Sequence, residues 1–555
     1  MKSPRLRGVV LVFAVVLAFA AGLIGTMAAT SWISASRRPV ALESPHFVDE
    51  TETSGLAQTY QGGSDFAVGG GVAIFDCNGD GKPDLYIAGG DQPAALYRNE
   101  SPVGGSLRFA RVADAASALR GVNGAYPIDL DGDGVIDLVV LRNGENVLLR
   151  GLGNCRFERA NERWGFDGGN EPTTAFSATW EGASALPTLA FGNYLRPQFN
   201  DPHHLCFDNE LLRPTPLGRY DKPIRLTPGW CALSMLFSDW DRSGRRDLRI
   251  SNDRQYYLPE DGEEQLWRIQ PGIAPRLYTD AAGWALIQVQ GMGIASYDLN
   301  GDGYPEYYLT SQAANRLQTL EKGPGQPTYR EMGLQAGVNA SQPFTGGDKR
   351  PSTAWHAEFA DVNNDGFADL FVSKGNVQEQ TDYAQRDPSN LFLGQPDGTF
   401  REVADVAGIL SFDRGRGAGL ADFNLDGQLD LVEVNYGAPT RLWRNVGSGT
   451  ADRPQPMGSW LALRLTQPGG NHDAIGSWVE VKVGDRVVRQ ELTIGGGHAG
   501  GQLGWLHFGL GVAGAAQVRV EWPDGATTGW MSMTANRFGV VDRQVGAIAY
   551  WQPGS

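Results

Sequence analysis

The chain has 555 residues, 41% of them hydrophobic and 20% charged, and its formal net charge is −16. This length allows two or three domains with cores of their own. The acidic balance and the lack of a basic stripe argue against nucleic-acid binding.

The N-terminus carries an apolar run from Val9 to Ala29, which follows a basic stretch at residues 2–7. About 21 apolar residues can span a bilayer, and basic residues before them direct the rest of the chain out of the cytoplasm. We predict a signal peptide or signal anchor over 1–38 and a linker over 39–64. Small residues at the end of the run leave cleavage open. The protein is then either secreted or anchored at the outer face of the cytoplasmic or plasma membrane.

An acidic nine-residue pattern, Asp-x-Asp/Asn-x-Asp/Ser-Gly-x-x-Asp/Glu, occurs six times between residues 76 and 430. Oxygens at positions 1, 3, 5 and 9 and a backbone carbonyl at position 7 can converge on one cation. All-oxygen ligation with several carboxylates favours Ca²⁺, and we expect about five or six ions. The predicted ligands, loop by loop, are Asp76, Asn78, Asp80, Lys82 and Asp84; Asp129, Asp131, Asp133, Val135 and Asp137; Asp239, Asp241, Ser243, Arg245 and Asp247; Asp298, Asn300, Asp302, Tyr304 and Glu306; Asp361, Asn363, Asp365, Phe367 and Asp369; and Asp422, Asn424, Asp426, Gln428 and Asp430.

The third loop departs from the pattern. Ser243 replaces the acid at position 5, and three arginines lie inside the loop (Arg242, Arg245 and Arg246). Their charges could satisfy the loop's carboxylates without a metal, so Ca²⁺ binding stays open there. The six loops together hold 19 carboxylates, and six Ca²⁺ ions would leave a net charge of about −4. The acidity therefore indicates metal sites rather than a basic partner.

The loops recur every 53 to 63 residues, except for one step of 110 residues. The long step predicts a repeat that has lost its loop, which we place at Phe176–Asn193. Short strand-like runs surround each loop, four to a repeat. An EF-hand would close its loop at position 12 between helices, and thrombospondin type 3 repeats recur about every dozen residues, so neither fits. We predict an all-β fold, a seven-bladed β-propeller over 65–447 with an insertion at 201–231.

The chain changes character after this region. Residues 448–457 have the composition of a linker. Alternating apolar runs then predict a small β-sandwich over 458–535, followed by a C-terminal strand or tail over 536–555.

The acidic loops, with a preceding Gly-x-Ala and a following Asp-Leu-x-Val, resemble the FG-GAP (VCBS-type) repeats of integrin α-chain propellers. Four later segments look like the ASPIC/UnbV domain: Asn471–Gly476, Gly495–Gly500, His507–Gly511 and Val520–Gly525. This combination is similar to the cartilage acidic protein family. The resemblance implies an exported, Ca²⁺-binding protein with an adhesive or matrix-associated role, and it implies no known reaction.

The four cysteines suggest disulfides in an exported protein. Cys206 and Cys231 bracket a Pro-rich segment, so we predict that they pair. Cys77 and Cys155 would then join neighbouring blades. Four cysteines allow three connectivities, and the sequence leaves the choice open.

Two functions from different classes remain. The one we favour is a binding module for an extracellular protein or polysaccharide, with no catalytic residue, attached to the membrane if the leader is uncleaved. The alternative is an enzyme at the mouth of the propeller channel, with His203, His204 or His356 as acid–base groups. Metalloprotease and serine-hydrolase motifs are absent from the sequence. We interpret the glycine-rich segment around His498 as a tight turn between strands.

Overall fold

The structure is a computed structural model that describes residues 41–196, 205–312, 314–339, 353–377 and 388–554. The hydrophobic N-terminal segment, His203 and His204 lie outside the described residues. Among the helices that are described, none is both long and apolar enough to cross a bilayer.

The described strands up to Asn445 form seven antiparallel sheets, numbered here in chain order, and each contains four consecutive strands or their equivalent. The first three sheets consist of β2 (Val72–Phe75), β3 (Asp84–Ile87), β4 (Ala95–Asn99) and β5 (Phe109–Arg111); β6 (Val122–Ile128), β7 (Asp137–Arg142), β8 (Val147–Gly151) and β9 (Phe157–Arg159); and β10 (Thr173–Thr179), β11 (Thr188–Asn193), β12 (Asn209–Leu212) and β13 (Ile224–Leu226).

The next three sheets consist of β14 (Ala232–Ser238), β15 (Asp247–Asn252), β16 (Gln265–Gln270) and β17 (Ile273–Leu277); β18 (Gly291–Tyr297), β19 (Glu306–Ser311), β20 (Arg316–Leu320) and β21 (Tyr329–Glu331); and β22 (Ala354–Ala360), β23 (Asp369–Lys374), β24 (Asn390–Gly394) and β25 (Phe400–Glu402). The seventh sheet combines the N-terminal strand with three late ones: β1 (Phe47–Asp49), β26 (Gly415–Ala421), β27 (Asp430–Asn435) and β28 (Arg441–Asn445).

The first strands of the sheets form a closed ring. Each of β2, β6, β10, β14, β18 and β22 contacts the first strand of the next sheet, and β26 contacts β2. The pairing of β1 with β28 ties the N-terminal end to the last sheet. An all-β ring of small antiparallel sheets around a channel is a propeller-like fold.

Within the described ranges, four helices of one turn each connect strands: α1 (Asn161–Trp164), α2 (Arg254–Tyr257), α3 (Gly333–Ala336) and α4 (Ala404–Ala407). Helices α1, α3 and α4 follow the fourth strand of a sheet. Each of these three ends at a glycine with positive φ, which terminates the helix without a Cβ penalty.

The third sheet explains the long gap between loops. Its strands β10 and β11 lie where the sequence predicts a repeat without a loop. Strands β12 and β13 complete the sheet, so the segment predicted as an insertion over 201–231 instead supplies two outer strands. The sequence does not predict these strands because the segment is rich in proline, which usually argues against a strand. Outer strands, which have few ladder hydrogen bonds, tolerate proline.

Two further sheets follow. One contains β33 (Leu506–Gly511), β29 (Ser459–Thr466), β36 (Arg537–Asp542) and β37 (Ala547–Trp551), and the other contains β31 (Arg486–Glu491), β30 (Trp478–Val483), β34 (Ala515–Glu521) and β35 (Met531–Thr534). Alternate residues of both sheets, including Leu463, Val481 and Val520, share one buried core. Because β36 pairs with β29 and β37 with β36, the sandwich extends through the residues predicted as a C-terminal strand or tail. We call residues 458–551 the C-terminal sandwich.

The ring and the C-terminal sandwich pack together. The sandwich core is continuous with buried side chains of the second and third sheets, such as Tyr126, Phe176 and Leu189. Residues Ala41–Ser555 accordingly form one compact unit. The predicted linker and the sandwich are therefore parts of the same folded body as the ring.

Candidate functional site: a ring of acidic loops

All six acidic loops lie at the same end of their sheets. Each loop joins the first strand of a sheet to the second, as in the β2–β3, β6–β7 and β26–β27 connections. Since the first strands line the channel, the loops surround one channel mouth, and we call this side the acidic face. The third sheet has a turn at 180–187 in the corresponding place.

The position-1 carboxylate organises every loop. Its Oδ2 accepts a hydrogen bond from the backbone N–H of the position-6 glycine in all six loops, at 2.6 to 3.1 Å. That glycine has positive φ in each loop, for example 82° at Gly81 and 88° at Gly366. A side chain at this position would be strained, so the glycine is what allows the chain to wrap around the carboxylate.

The position-9 acid is held by the strands behind it. In five loops it accepts the N–H of position 2, as Asp84 does from Cys77 at 2.7 Å. In the third loop, Trp240 Nε1 donates to Asp247 instead, at 2.9 Å. The position-7 amide donates to the position-5 side chain in all six loops. The role of the position-7 carbonyls as ligands stays a prediction.

The acidic loops bury several carboxylates whose negative charge is only partly neutralised by neighbouring groups. Burial raises the pKa of Asp84 and of Asp137 to about 8. Burial, followed by repulsion from neighbouring loop acids, holds the pKa of Asp361 and of Asp430 well above the usual range. Carboxylates crowded in this way favour either protonation or a bound cation.

Unsatisfied oxygens point to a cation rather than to protons alone. Asp131 Oδ1, Asp239 Oδ1 and Asp298 Oδ1 are buried and have no hydrogen-bond partner among the described residues. Carboxylate oxygens of Asp129, Asp131 and Asp137 lie within 4.8 Å of one another. A hard divalent cation would supply both the missing charge and the missing contact. The residues present therefore fit Ca²⁺.

Arginines form ion pairs with carboxylates of the first four acidic loops. In the third loop Arg245 lies 3.0 Å from both Asp241 and Asp247, which is the internal neutralisation that its sequence suggests. In the second loop Arg150 pairs with Asp131 at 3.0 Å. These guanidinium groups offset part of the carboxylate charge in the loops that they contact.

Every acidic loop contacts the C-terminal sandwich or the residue just before it, Met457, and these contacts cover part of the acidic face, while Asp80, Asp133 and Asp302 stay exposed. Arg489 pairs with Asp298 of the fourth loop at 3.0 Å. The remaining contacts are Trp505 Nε1 to Gly81 O, His472 to Asp129, Arg246 to Gly476 O, Asn364 Nδ2 to Met457 O, and Met457 N–H to Gln428 Oε1. The acidic loops therefore lie at the interface between the ring and the C-terminal sandwich.

A glycine-rich segment of the sandwich runs through the channel mouth. We call Ile494–Gly501 the channel plug. It forms backbone bridges to the first strands of the third, fourth, fifth and second sheets. Strand β32 (Gly501–Leu503) continues it and pairs in parallel with β2. This segment is not the simple turn between strands that the sequence suggests, because its glycines let the backbone approach several strands at once.

His356 lies beneath the channel plug. Its side chain is buried in β22, and its Nδ1 accepts the N–H of His498 at 3.2 Å. Its Nε2 lies 3.5 Å from Glu358 Oε2. The cavity beside these residues measures about 180 Å³. Pockets for organic ligands are usually ~300 Å³ or larger, so the structure offers His356 little room for a substrate.

Glu491 connects the sandwich to the fourth sheet and should make stability depend on pH. It accepts hydrogen bonds from Ser238 Oγ at 2.7 Å and from the N–H of Asp239 at 2.9 Å. Burial raises its pKa from 4.5 to about 7. Between these values the folded chain keeps a proton that the unfolded chain has released, so stability falls as pH rises, by up to ~1.4 kcal/mol per pH unit, and this contribution is flat above about 7.

We expect Glu491→Gln to remove this part of the pH dependence. The variant should match the parent near pH 4.5 and exceed its stability at pH 8 by about 1–3 kcal/mol, since glutamine resembles the protonated acid. Urea unfolding at several pH values measures the difference. A variant that is less stable than the parent at pH 8 would show that the fold stabilises the ionised carboxylate of Glu491, which contradicts a raised pKa.

Both predicted disulfides are present. Cys77 pairs with Cys155, and Cys206 pairs with Cys231, with Cα–Cα distances of 4.6 and 4.9 Å. Cys77 is position 2 of the first acidic loop, so its disulfide attaches that loop to the second sheet. Two disulfides indicate folding in an oxidising compartment.

Two protein families match parts of the chain. Residues 76–140 and 298–372 match the FG-GAP-like repeat family, and residues 467–547 match the ASPIC and UnbV family. The FG-GAP-like matches cover the first, second, fourth and fifth acidic loops. The ASPIC and UnbV match covers most of the C-terminal sandwich, including the channel plug.

The chain is also similar to cartilage acidic protein 1. It is 24% identical to the Xenopus tropicalis protein over 227 residues, which are 38% of this chain and 32% of the relative. It is 28% identical to the human protein over 189 residues, which are 30% of this chain and 26% of the relative. The chain thus spans about a third or less of the length of these relatives.

Solved structures show only a distant likeness. A lectin from Agrocybe aegerita that recognises non-reducing terminal N-acetylglucosamine aligns with a TM-score of 0.38 and 14% identity, over 67% of this chain and 93% of the lectin. A Trypanosoma rangeli sialidase aligns with a TM-score of 0.34 and 10% identity, over 62% of this chain and 57% of the sialidase. Scores this low carry no functional inference.

On the family matches and the curated relatives, the chain is a protein with FG-GAP-like repeats and an ASPIC/UnbV domain that is similar to cartilage acidic protein 1.

Proposed function

We propose that this chain is an exported Ca²⁺-binding protein on a seven-bladed propeller scaffold, which acts outside the cell as a binding module for a protein or polysaccharide. The observation that carries the proposal is the set of six loops with one hydrogen-bond design and clustered, partly unsatisfied carboxylates. Extracellular Ca²⁺ is abundant enough to fill loops of modest affinity. The two disulfides and the likeness to a protein named for cartilage support a place outside the cell.

The role that we propose for Ca²⁺ is structural. The ions neutralise the loops and thereby stabilise the surface on which the C-terminal sandwich docks. The partner then binds elsewhere, on the opposite face of the ring or on the outer surface of the sandwich. Connecting loops on a rigid scaffold suit recognition of a large partner.

The second and third loops should respond differently to substitution. We expect Asp131→Ala to lower the melting temperature in Ca²⁺ more than Ser243→Ala, because the second loop has four acids and the third already contains Arg245. In Ca²⁺, we expect the free energies of unfolding of the two variants to differ by about 1–3 kcal/mol. Differential scanning fluorimetry of both variants in Ca²⁺ and in chelator measures it.

The chelator arm separates metal binding from other effects. Asp131 also pairs with Arg150, so its loss breaks an ion pair as well as a proposed ligand. If Ca²⁺ causes the difference, the two variants should converge in chelator. A difference that persists unchanged would assign the effect to the Arg150 pair and would remove support for metal in the second loop.

A binding assay tests the function itself. The labelled full chain is applied to arrays of extracellular polysaccharides and matrix proteins, in Ca²⁺ and in chelator. We expect saturable binding to one class of partner in Ca²⁺, weakened when the scaffold loses its ions. Absence of saturable binding in Ca²⁺, with the chain shown to be folded, would contradict the binding role.

A further inference from the structure

We propose that His472, Asp473 and Asp129 form a separate metal site that takes a divalent transition-metal ion, with Zn²⁺ the best fit. The site lies where the C-terminal sandwich meets the second acidic loop. One nitrogen and two carboxylate oxygens from these residues lie within 4.8 Å of one another. The ion would connect two parts of the chain that are more than 300 residues apart in the sequence.

A rigid turn positions the two neighbouring ligands. Asn471 Oδ1 accepts the N–H of Ile475 at 2.8 Å, and Asn471 Nδ2 donates to the Ile475 carbonyl at 2.9 Å. The N–H of Gln467 donates to the His472 carbonyl at 2.9 Å. The backbone that carries His472 and Asp473 is therefore fixed before any ion binds, which lowers the entropy cost of ligation.

The His472 ring nitrogen lacks a partner. Nδ1 is buried and has no hydrogen-bond partner in the described part of the chain. Its nearest carboxylate oxygens are Asp473 Oδ1 at 3.7 Å and Asp129 Oδ2 at 3.9 Å. These separations are too long for hydrogen bonds. They suit neighbouring ligands of one ion, since ligands about 2.0–2.2 Å from a metal lie ~3–4 Å apart.

The ligand types favour Zn²⁺ over Ca²⁺ at this position. Calcium takes oxygen ligands, whereas imidazole nitrogen prefers zinc and its neighbours among the transition metals. Asp129 Oδ1 faces the second loop, where it accepts the N–H of Gly132 at 2.8 Å. Asp129 Oδ2 accepts the N–H of Gly134 at 2.9 Å and is also the oxygen that lies 3.9 Å from His472 Nδ1, so its second lone pair would serve the proposed ion.

A proton on His472 is the alternative to a metal ion at this site. A protonated His472 would form long ion pairs with the same two aspartates, and no metal would bind. The sequence offers no hint of the site, because its histidine and its first carboxylate come from distant segments that only the docked sandwich brings together.

Zinc titration of the full chain in saturating Ca²⁺ tests the proposal. Calcium keeps Zn²⁺ out of the acidic loops, so isothermal titration calorimetry should report one Zn²⁺ per chain. His472→Ala and Asp473→Asn should each weaken this binding by more than about tenfold. His46→Ala, which removes an exposed histidine, is the matched control and should leave binding unchanged.

Two results would overturn the site. One is the absence of Zn²⁺ binding by the parent chain in saturating Ca²⁺, which would assign the pocket to a proton. The other is equal Zn²⁺ affinity of the parent and His472→Ala. Unchanged Ca²⁺-dependent melting of the variants confirms that they fold. Because the zinc signal is read separately from calcium, failure of this site and failure of the calcium proposal are distinguishable.

Discussion

Removal of Ca²⁺ is expected to lower the melting temperature of the full chain strongly and to release the C-terminal sandwich from the ring. Each ion that binds only the folded state stabilises it by ~2.7 kcal/mol at a hundred times its dissociation constant. Several filled loops together reach ~10 kcal/mol, which is the scale of the stability of a whole domain. Without ions, the carboxylates repel one another at the surface on which the sandwich rests.

Limited proteolysis gives the second readout. Residues 451–456 are exposed and lead directly into the sandwich, while Met457 is held by Asn364 and Gln428 of the fifth and sixth loops. We expect chelator to accelerate cleavage in this segment and added Ca²⁺ to restore protection. Mg²⁺ is the control ion and should protect less, because it demands smaller, regular octahedral sites. Equal cleavage with and without Ca²⁺ would argue against coupling between the loops and docking.

Gly124→Val is expected to destabilise the protein by about 3 kcal/mol, because it overpacks a backbone contact. A Cβ at Gly124 would lie 1.6 Å from the carbonyl oxygen of Ala499 in the channel plug. Nothing flexible can move aside, because the clash is with backbone. The valine variant should therefore expel the plug or distort β6, and urea unfolding measures the loss.

Gly529→Val is the matched control for this prediction. A Cβ at Gly529 would have no heavy atom within 4 Å other than those of its own chain neighbours, and the position is exposed. This variant should stay within ~0.5 kcal/mol of the parent. A Gly124→Val variant equally close to the parent would mean that the plug does not occupy the channel in solution.

The features that sequence reasoning finds are local. Each acidic loop is nine consecutive residues, so its ligand types and its glycine at position 6 are visible without the fold. The strand pattern around each loop is equally local, and it leads to an all-β propeller-like architecture. The Cys206–Cys231 pair can also be predicted from the sequence, because only 25 residues separate its cysteines.

The features that it misses depend on distant contacts. The plug residues pair with strands of five sheets, and no periodicity in Gly495–Gly500 indicates this. Strands β12 and β13 are not predicted because they are short outer strands with few ladder hydrogen bonds, in a proline-rich segment. The packing of the sandwich against the acidic face is missed because the sequence pattern of the ring and that of the sandwich each predict a folded unit without indicating how the two pack together.

The metal content of the purified full chain tests most directly whether the six acidic loops hold Ca²⁺. After equilibration in Ca²⁺ and removal of free ions, elemental analysis should find five or six Ca²⁺ per chain, and the loaded protein should melt well above the chelated one. One ion or none per chain, with identical melting in Ca²⁺ and chelator, would contradict the account.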